Sequence, residues 1–257
     1  MLGAIYGDKV GSIYEFEQLK GIKSISPDVL IQSNSFYSDD TIETIAVADA
    51  IINNKDYEET LREYILKNID YSPNFKPYFK NPFSPGTMKW ANGIGKNTSI
   101  GNGAMMRISP VGYLFDKEED VIEQARLVTI PSHNSKEAID SATIIALMIY
   151  YFRNGLGKEE VFHKLNLLVK YEPFKKFNTT CSETLNNCLY ALYNSTSFEE
   201  AIRNTLLMGG DTDTNCCIVG SVAEVMHGMN ISQIKGATTG LPKEYIKILK
   251  KAYESIN

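Results

Sequence analysis

Residues Met208–Gly228 read MGGDTDTNCCIVGSVAEVMHG, and this stretch decides the expected fold class and the expected place of the chemistry. Beyond Asp213 the residues follow helical periodicity, and only Glu224 carries a charge before His227. Small side chains line this segment: Cys216, Cys217, Gly220, Ser221 and Ala223. A helix with so little bulk or charge predicts a central, closely packed position. Its acidic neighbour Asp211 then lies at the tip of a buried helix.

Helical periodicity continues outward from this segment in both directions. No N-G or D-G turn stands between alternating apolar runs, so the signals of a β-hairpin are absent. We therefore expect an all-α fold of about ten or more helices, arranged as one domain over residues 1–257. The predicted helices are Asp40–Asn53, Asp56–Ile69, Glu118–Thr129, Ser135–Phe152, Lys158–Lys170, Ser182–Asn194, Phe198–Leu207, Asn215–Gly228 and Lys243–Ile256.

Charge and hydropathy limit the classes of partner. The 257 residues include 26 Lys and Arg against 31 Asp and Glu, a net charge of −5, which does not favour a nucleic-acid or membrane-surface partner. The longest uncharged apolar run, about Ser141–Phe152, is shorter than the roughly 20 residues of a membrane span. Asp8 and Lys9 interrupt the apolar start, which argues against a signal peptide. We expect a cytoplasmic protein without a membrane segment.

Two acidic motifs stand at predicted helix starts: Ser38-Asp39-Asp40-Thr41 (SDDT) and Asp211-Thr212-Asp213-Thr214 (DTDT). Each has a structural alternative, because Asp40 with Glu43 fits a capping box and Asp213 can cap the helix from Asn215. One cap needs one carboxylate, however, and both motifs hold more. Aspartates among hydroxyls are the hard oxygen ligands that Mg²⁺ and Mn²⁺ prefer, and a buried cluster of them is costly without a cation.

A glycine pair, Gly101-Asn102-Gly103, precedes a predicted helical turn. Backbone N–H groups at such a place suit a phosphate, while the alternative is a tight turn without a ligand. Pro110 is expected to end or kink this helix. His133 stands just before the next predicted helix. There it either makes a hydrogen bond at the start of that helix or faces a ligand.

The N-terminal segment and the long segment 71–103 are the remaining candidates. Gly7 and Gly11, four residues apart, permit close helix packing, and Asp8 between them suits a cap or a buried polar network. Glu15 follows within reach of a pocket. Residues 71–103 carry four prolines and six aromatics, so they form either a packed surface loop or the wall of a ligand pocket.

Several enzyme classes find no support in the chain. It has three histidines and no HExxH pair, no G-x-S-x-G elbow and no GxxxxGK[ST] loop. A zinc protease, an α/β-hydrolase and a P-loop NTPase therefore lack their defining residues. The four cysteines have no metal-binding spacing and are expected to be small buried residues.

Together the segments resemble the ADP-ribosylglycohydrolase family. The likeness rests on five segments in the family's order: GAIYGDKVGSIYEF, SDDT, GNGAMMRISPVG, SHNSKEAIDSA and MGGDTDTNCCIVGSVAEVMHG. This resemblance implies an orthogonal bundle of helices with two Mg²⁺ or Mn²⁺ ions in a cleft. It implies an enzyme that hydrolyses the glycosidic bond of an ADP-ribosyl group carried by a protein or a small molecule.

The resemblance also assigns residues. The implied metal ligands are Ser38, Asp39, Asp40, Asp211, Asp213 and Thr214. The implied catalytic acids are Glu15, Asp40 and Asp211. The implied contacts to ADP-ribose are Gly101, Asn102, Gly103 and His133.

This chain departs from the family pattern at two positions. Ser38 replaces the usual threonine but keeps the hydroxyl, and Ile100 stands where many members have an aromatic side chain. An aromatic residue of the long segment can replace the latter against adenine: Tyr78, Phe79, Phe83 or Trp90.

Two other functions stay open at this point, a catalytically inactive ADP-ribose-binding module and a hydrolase of a related nucleotide glycoside. The linkage that would be cleaved also stays open, to arginine, serine, a base or a small molecule.

Overall fold

The computed structural model describes residues 1–71 and 81–256. Within these ranges all named secondary-structure elements are helices, and loops join them. The only β-type pairings there are the isolated bridges Thr98–His133 and Gly101–Thr180. The all-α prediction is confirmed. The helices are α1 Leu2–Gly11, α2 Glu15–Gln18, α3 Asp39–Asn53, α4 Tyr57–Lys67, α5 Pro85–Ala91, α6 Gly103–Met106, α7 Ser109–Leu114, α8 Glu118–His133, α9 Lys136–Arg153, α10 Lys158–Lys164, α11 Cys181–Tyr193, α12 Phe198–Met208, α13 Thr212–His227, α14 Ile231–Thr238 and α15 Lys243–Glu254.

Helices α1 and α13 form the centre of the bundle and approach each other at backbone distance. A Cβ atom added to Gly7 would lie 1.9 Å from the carbonyl oxygen of Cys216, and one added to Gly11 would lie 2.1 Å from that of Thr212. Only glycine fits at these two crossings. The close approach brings the C-terminal end of α1 beside the N-terminal end of α13, so Asp8 comes next to Asp213.

Around this pair, α13 also contacts α9, α11 and α12, while α3 packs on α1, α4, α7 and α15. Every residue of α13 from Thr212 to Ala223 is buried, as the small-residue pattern predicts. All four cysteines are free and buried, also as predicted. The N-terminal ends of α3 and α13 point to the same side of the bundle and bound one cavity.

Both capping alternatives for the acidic motifs are wrong. Helix α13 begins at Thr212 with Asp211 as its N-cap residue, so Asp213 lies in the first turn rather than before Asn215. Helix α3 has Ser38 as its N-cap, which accepts a hydrogen bond from the Asp40 N–H at 3.3 Å. Glu43 pairs with an arginine instead of closing a capping box. The acidic side chains are therefore not used as caps.

Several helix boundaries differ from those that the periodicity predicts. Helix α8 continues through Pro131 and ends two residues later at His133, so the proline lies in the last turn and not in the helix interior. His133 thus ends a helix rather than preceding one. Pro110 lies in the first turn of α7. Backbone N–H groups in a first turn have no acceptor within the helix, so a proline there costs no helical hydrogen bond. Helix α10 ends at Lys164, earlier than predicted.

Candidate active site

A cavity of about 540 Å³ opens where the ends of α2, α3, α6, α8 and α13 converge. Its volume lies in the usual range of small-molecule sites. Carboxylates line one end, and the other end is lined by the 101–103 loop, His133 and residues of the segment 81–99. The two halves of the sequence-predicted site therefore face the same space.

Two groups of three carboxylates lie at the acidic end and share one member. In the first group, one oxygen each from Asp8, Asp40 and Asp213 lie within 4.8 Å of one another. In the second group the same holds for Glu15, Asp211 and Asp213. Asp213 is common to both because it lies in the first turn of α13, between α1 and α3.

Hydroxyl groups from both motifs surround Asp40. The Ser38 hydroxyl donates to Oδ2 of Asp40 at 3.0 Å, and the Thr214 hydroxyl donates to the same oxygen at 3.3 Å. The other oxygen, Oδ1 of Asp40, is buried and has no hydrogen-bond partner among the described residues. The predicted ligands Ser38 and Thr214 thus lie against the predicted ligand Asp40.

Asp8 belongs to this cluster, although the sequence left its role open between a cap and a buried polar network. It is fully buried, and its Oδ2 accepts hydrogen bonds from the backbone N–H of Ser38 at 2.9 Å and of Thr41 at 3.1 Å. The Thr41 hydroxyl donates to the same oxygen at 2.5 Å. Oδ1 of Asp8 has no partner in the described part of the chain. The G-D-x-x-G spacing is the signal that could have identified it.

Asp39 is placed differently from its neighbour. It is half-buried and lines the cavity, but it belongs to neither three-acid group. Successive side chains of a helix are about 100° apart around its axis, so Asp39 and Asp40 leave α3 in different directions. Asp39 lines the open side of the cluster, whereas Asp40 lies inside it.

Burial and mutual repulsion shape the protonation of the cluster. Burial, followed by the charges of Asp8 and Asp211, raises the pKa of Asp40 well above its usual value. Burial and the Asp211 charge raise the pKa of Glu15 to about 8, opposed by a hydrogen bond with Asp213. Burial likewise raises the pKa of Asp213, and the charge of Glu15 adds to it. The acids are costly as a bare cluster of anions.

This donor set fits hard divalent cations. It supplies carboxylate and hydroxyl oxygens alone, and two buried carboxylate oxygens, on Asp8 and Asp40, have no other partner. Positive charge at this place would offset the repulsion that raises the pKa values. The fit rests on side chains that the tertiary structure brings together from α1, α3 and α13.

The 101–103 loop forms the opposite wall, and two of its three backbone N–H groups donate to other atoms of the protein. The Gly101 N–H donates to the Ser99 hydroxyl at 3.1 Å, and the Asn102 N–H donates to the Thr179 carbonyl at 2.7 Å. Among the described residues the Gly103 N–H has no recorded acceptor. The loop therefore offers one backbone donor rather than the several that paired glycines suggested.

The Asn102 side chain is turned toward the acids. Its amide nitrogen donates to Oδ2 of Asp211 at 2.7 Å and to the Thr184 hydroxyl at 3.3 Å. Asn102 is buried at 5% exposure, although it also lines the cavity. Its observed contact orients an acid, whereas the sequence predicted a contact to the ligand.

His133 lies beside the same loop. A Cβ atom added to Gly103 would lie 3.5 Å from its Nε2 atom, and one added to Gly101 would lie 3.6 Å from it. Burial, and then the charge of Arg107, lower the pKa of His133 well below its usual value, so the ring is neutral at physiological pH. A neutral ring can donate a hydrogen bond through one nitrogen only.

The aromatic wall comes from the described part of the long segment. Phe83 and Trp90 line the cavity and are almost fully buried, whereas Ile100 is exposed and does not line it. Trp90 is held by its indole N–H, which donates to the Pro131 carbonyl at 2.6 Å. The candidates Tyr78 and Phe79 lie outside the described residues.

Lys96 and Phe177 also line this end, and the sequence did not single them out. Lys96 is exposed at the cavity, and the described ranges place no carboxylate within ion-pair distance of its ammonium group. Because Arg107 is already paired with Glu43, Lys96 is the free cation of the described cavity lining.

No helix in the described ranges combines the length and apolarity that crossing a bilayer requires.

Comparisons with known proteins show that this chain is similar in sequence to ADP-ribosylhydrolases. The human ADP-ribosylhydrolase ARH3 is 28% identical over 192 residues, which cover 64% of this chain and 52% of that protein. The ADP-ribosyl-[dinitrogen reductase] glycohydrolase of Rhodospirillum rubrum is 26% identical over 142 residues, covering 51% and 47%. The chain thus spans about half the length of these two relatives.

A solved structure, titled an ADP-ribosylglycohydrolase-related protein complex, shares the fold. It superposes with a TM-score of 0.65 at 20% identity and covers 99% of this chain and 95% of its own. The profile of the ADP-ribosylglycohydrolase family matches residues 1–256, nearly the whole chain. The five motifs and the family profile agree, and this chain belongs to the ADP-ribosylglycohydrolase family.

Proposed function

We propose that this protein is a hydrolase that depends on Mg²⁺ or Mn²⁺ and cleaves the glycosidic bond between ADP-ribose and a modified side chain or small molecule. The observation that carries the proposal is the pair of three-acid groups joined at Asp213, placed at one end of a cavity whose other end holds the 101–103 loop and His133. Family membership over residues 1–256 supports a single catalytic domain.

The acidic end would hold two cations. Their ligands are proposed to be Ser38, Asp39, Asp40, Asp211, Asp213 and Thr214, with Asp8 and Glu15 beside them. When bound, divalent cations supply positive charge that neutralises the acids and polarises water and ribose hydroxyls. Ser38 keeps the hydroxyl that a threonine would offer, and its contact with Asp40 supports this role.

The reaction is a hydrolysis at the anomeric carbon of the ribose. The bond to the acceptor atom breaks with its electron pair on the acceptor, while water adds to the carbon. One proton passes from the water to a carboxylate, and the acceptor atom gains one. Positive charge develops on the ribose in the transition state, so nearby carboxylates stabilise it. Glu15, Asp40 and Asp211 are the proposed proton carriers, and they titrate as a coupled set.

The other end of the cavity would bind the rest of ADP-ribose. The Gly103 N–H and the Lys96 ammonium group supply donors for the diphosphate, and His133 supplies one more. Phe83 and Trp90 offer apolar surface for the adenine ring in place of an aromatic residue at position 100. Holding the substrate at both ends orients the anomeric carbon toward the acids.

Release of ADP-ribose from defined substrates tests the proposal. Proteins carrying ADP-ribose on arginine or on serine are incubated with the enzyme in EDTA, Mg²⁺ or Mn²⁺, and free ADP-ribose is measured by chromatography. We expect metal-dependent release from one linkage. Asp213→Ala should abolish it, because this residue belongs to both acidic groups.

The alternatives give different outcomes. Tight binding of ADP-ribose without release from any substrate would indicate a binding module. Release from a nucleotide glycoside but from neither protein substrate would indicate the related hydrolase. Asp140→Ala, an exposed acid on α9 paired with Lys136, is the matched control and should retain activity.

A further inference from the structure

A buried chain of hydrogen bonds leads from α3 to the imidazole of His133. Glu43 on α3 accepts from Nη1 of Arg107 at 2.6 Å, and both side chains are 2% exposed. Nη2 of Arg107 donates to the Ser132 hydroxyl at 2.6 Å. The Ser132 oxygen lies 2.7 Å from Nδ1 of His133. This series of hydrogen bonds runs from α3, through Arg107 after the end of α6, to α8, and it ends at a ring that lines the cavity.

The number of hydrogen atoms on each group in this series of hydrogen bonds fixes which group donates and which accepts. A guanidinium group donates only, so the Ser132 oxygen is the acceptor from Arg107. The one hydrogen of the Ser132 hydroxyl then needs an acceptor, and Nδ1 of His133 is the acceptor recorded in the described structure. Nδ1 therefore carries the lone pair, and the ring proton lies on Nε2.

The guanidinium group favours the same tautomer directly. Nη2 of Arg107 lies 3.5 Å from Nδ1, a position where a lone pair is attracted and an N–H is repelled. The low pKa of His133, due to burial and then to Arg107, agrees with a ring that carries a single proton.

The opposite ring nitrogen faces the ligand end of the cavity. Nε2 is the ring atom beside the two glycines of the 101–103 loop, where added Cβ atoms would lie 3.5–3.6 Å from it. The backbone before His133 is joined to the same segment, since the Ser99 N–H donates to the Ser132 carbonyl at 3.3 Å. An N–H at this position needs an acceptor, and residues 1–71 and 81–256 provide none within hydrogen-bond distance of Nε2.

We propose that Arg107 and Ser132 are positioning residues that hold His133 as the neutral Nε2–H tautomer and direct this single donor at an acceptor atom of the bound nucleotide beside Gly103. The tautomer itself is a property of the ligand-free protein. The contact to nucleotide rests on the proposed function. The proposed acceptor is a phosphate or ribose oxygen, which the neighbouring Gly103 N–H can bind as well.

Nitrogen NMR on histidine-labelled protein tests the tautomer without any substrate. The chain has three histidines, and the His133 signals are assigned by their loss in His133→Gln. At pH 7 we expect one protonated nitrogen, Nε2, and an unprotonated Nδ1 that is shifted by an incoming hydrogen bond. A proton on Nδ1, or on both nitrogens, overturns the proposal.

Substitution at Ser132 tests the positioning. Ser132→Ala should move the Nδ1 resonance toward that of a nitrogen without a donor, and it should weaken ADP-ribose binding by roughly two- to tenfold, the worth of one hydrogen bond. Ser132→Thr keeps the hydroxyl and should restore both values. An unchanged Nδ1 resonance in Ser132→Ala overturns the relay, and unchanged affinity overturns the contact to nucleotide.

A control on the same helix separates positioning from general loosening of α8. Thr129 is buried one turn earlier, and its hydroxyl donates to the Ala125 carbonyl away from His133. Thr129→Ala should leave the His133 resonances unchanged. If the wild-type tautomer is as expected and ADP-ribose does not bind, the proposed function fails while the relay stands.

Discussion

The side-chain amide of Asn102 donates a hydrogen bond to Oδ2 of Asp211 at 2.7 Å, which joins the glycine loop on one wall of the cavity to the acids on the other. Both residues are buried, so this contact is shielded from water. It gives Asp211 a fixed orientation within its group. A residue of the expected nucleotide-binding motif thus acts first on the acidic centre.

Removal of this contact should weaken cation binding. In Asn102→Ala the Asp211 carboxylate loses a donor and gains freedom to rotate, and loss of such an outer partner typically costs about 10- to 100-fold in metal affinity or activity. The measurement is ADP-ribose release as a function of Mn²⁺ concentration. Asn187→Ala, a buried asparagine outside the cavity lining, is the control. A metal dependence equal to that of wild type would show that Asp211 needs no support from Asn102.

Cations should stabilise the fold through Asp213. Binding at a hundred times the dissociation constant contributes about 2.7 kcal/mol of unfolding free energy, which for a chain of this size raises Tm by about 5–10 °C. Scanning fluorimetry in EDTA and in millimolar Mg²⁺ or Mn²⁺ measures the shift. Asp213→Ala should remove most of it, because both three-acid groups lose a member.

The same substitution carries a second expectation in EDTA. Without cations, removing one of several repelling acids should leave Tm unchanged or raise it. Asp140→Ala should keep the wild-type shift in both metals. If the Tm of wild type does not change with either metal, the cation site is refuted. If Asp213→Ala shows the full wild-type rise in Tm, Asp213 is not part of that site.

The contact between α1 and α13 should not tolerate a methyl group. In Gly7→Ala the new Cβ would lie 1.9 Å from the Cys216 carbonyl oxygen, so the two helices must separate. We expect a loss of about 3 kcal/mol or more of unfolding free energy, at or above the usual cost of overpacking. Urea denaturation measures it. Gly157→Ala, where an added Cβ meets no atom within 4 Å, is the control and should change little.

Substitution of Gly103 should affect binding rather than folding. An added Cβ there lies 3.5 Å from the nearest atoms, an ordinary contact, so the fold should accept Gly103→Val. The branched side chain would cover the free N–H and crowd Nε2 of His133. Calorimetry should show weaker ADP-ribose binding with an unchanged circular dichroism spectrum. Wild-type affinity in this variant would exclude the loop from the binding site.

Lys96 should contribute charge to the binding of the diphosphate. Its ammonium group is exposed, so Lys96→Ala should cost about 1 kcal/mol, or roughly fivefold in ADP-ribose affinity at low salt. The difference from wild type should shrink as NaCl is added. Lys89→Ala, an exposed lysine on α5 that does not line the cavity, is the control. If both variants bind equally well, Lys96 makes no contact with the phosphates.

Some features were readable from local sequence because their cause is local. The small side chains after Asp213 predicted a central helix, and Gly7 and Gly11 predicted close packing of the first helix, since only residues without bulk allow backbones to approach. That these two helices pack on each other was not predicted. The SDDT and DTDT motifs stood out because capping uses one carboxylate and leaves the others to be explained. The size of a small residue and the charge of an aspartate limit the surroundings in which each can lie, so both can be interpreted from the sequence.

The tertiary structure alone decided which side chains meet. Asp8 joins Asp40 and Asp213, whereas Asp39, adjacent to Asp40 in sequence, belongs to neither group. This selection depends on how α1, α3 and α13 cross, and helical periodicity says which face a residue occupies but not which helix lies opposite. The link from Arg107 through Ser132 to His133 has the same origin. Contacts between residues far apart in sequence are set by the geometry with which helices pack. A local sequence pattern does not determine the distance between the ends of two helices.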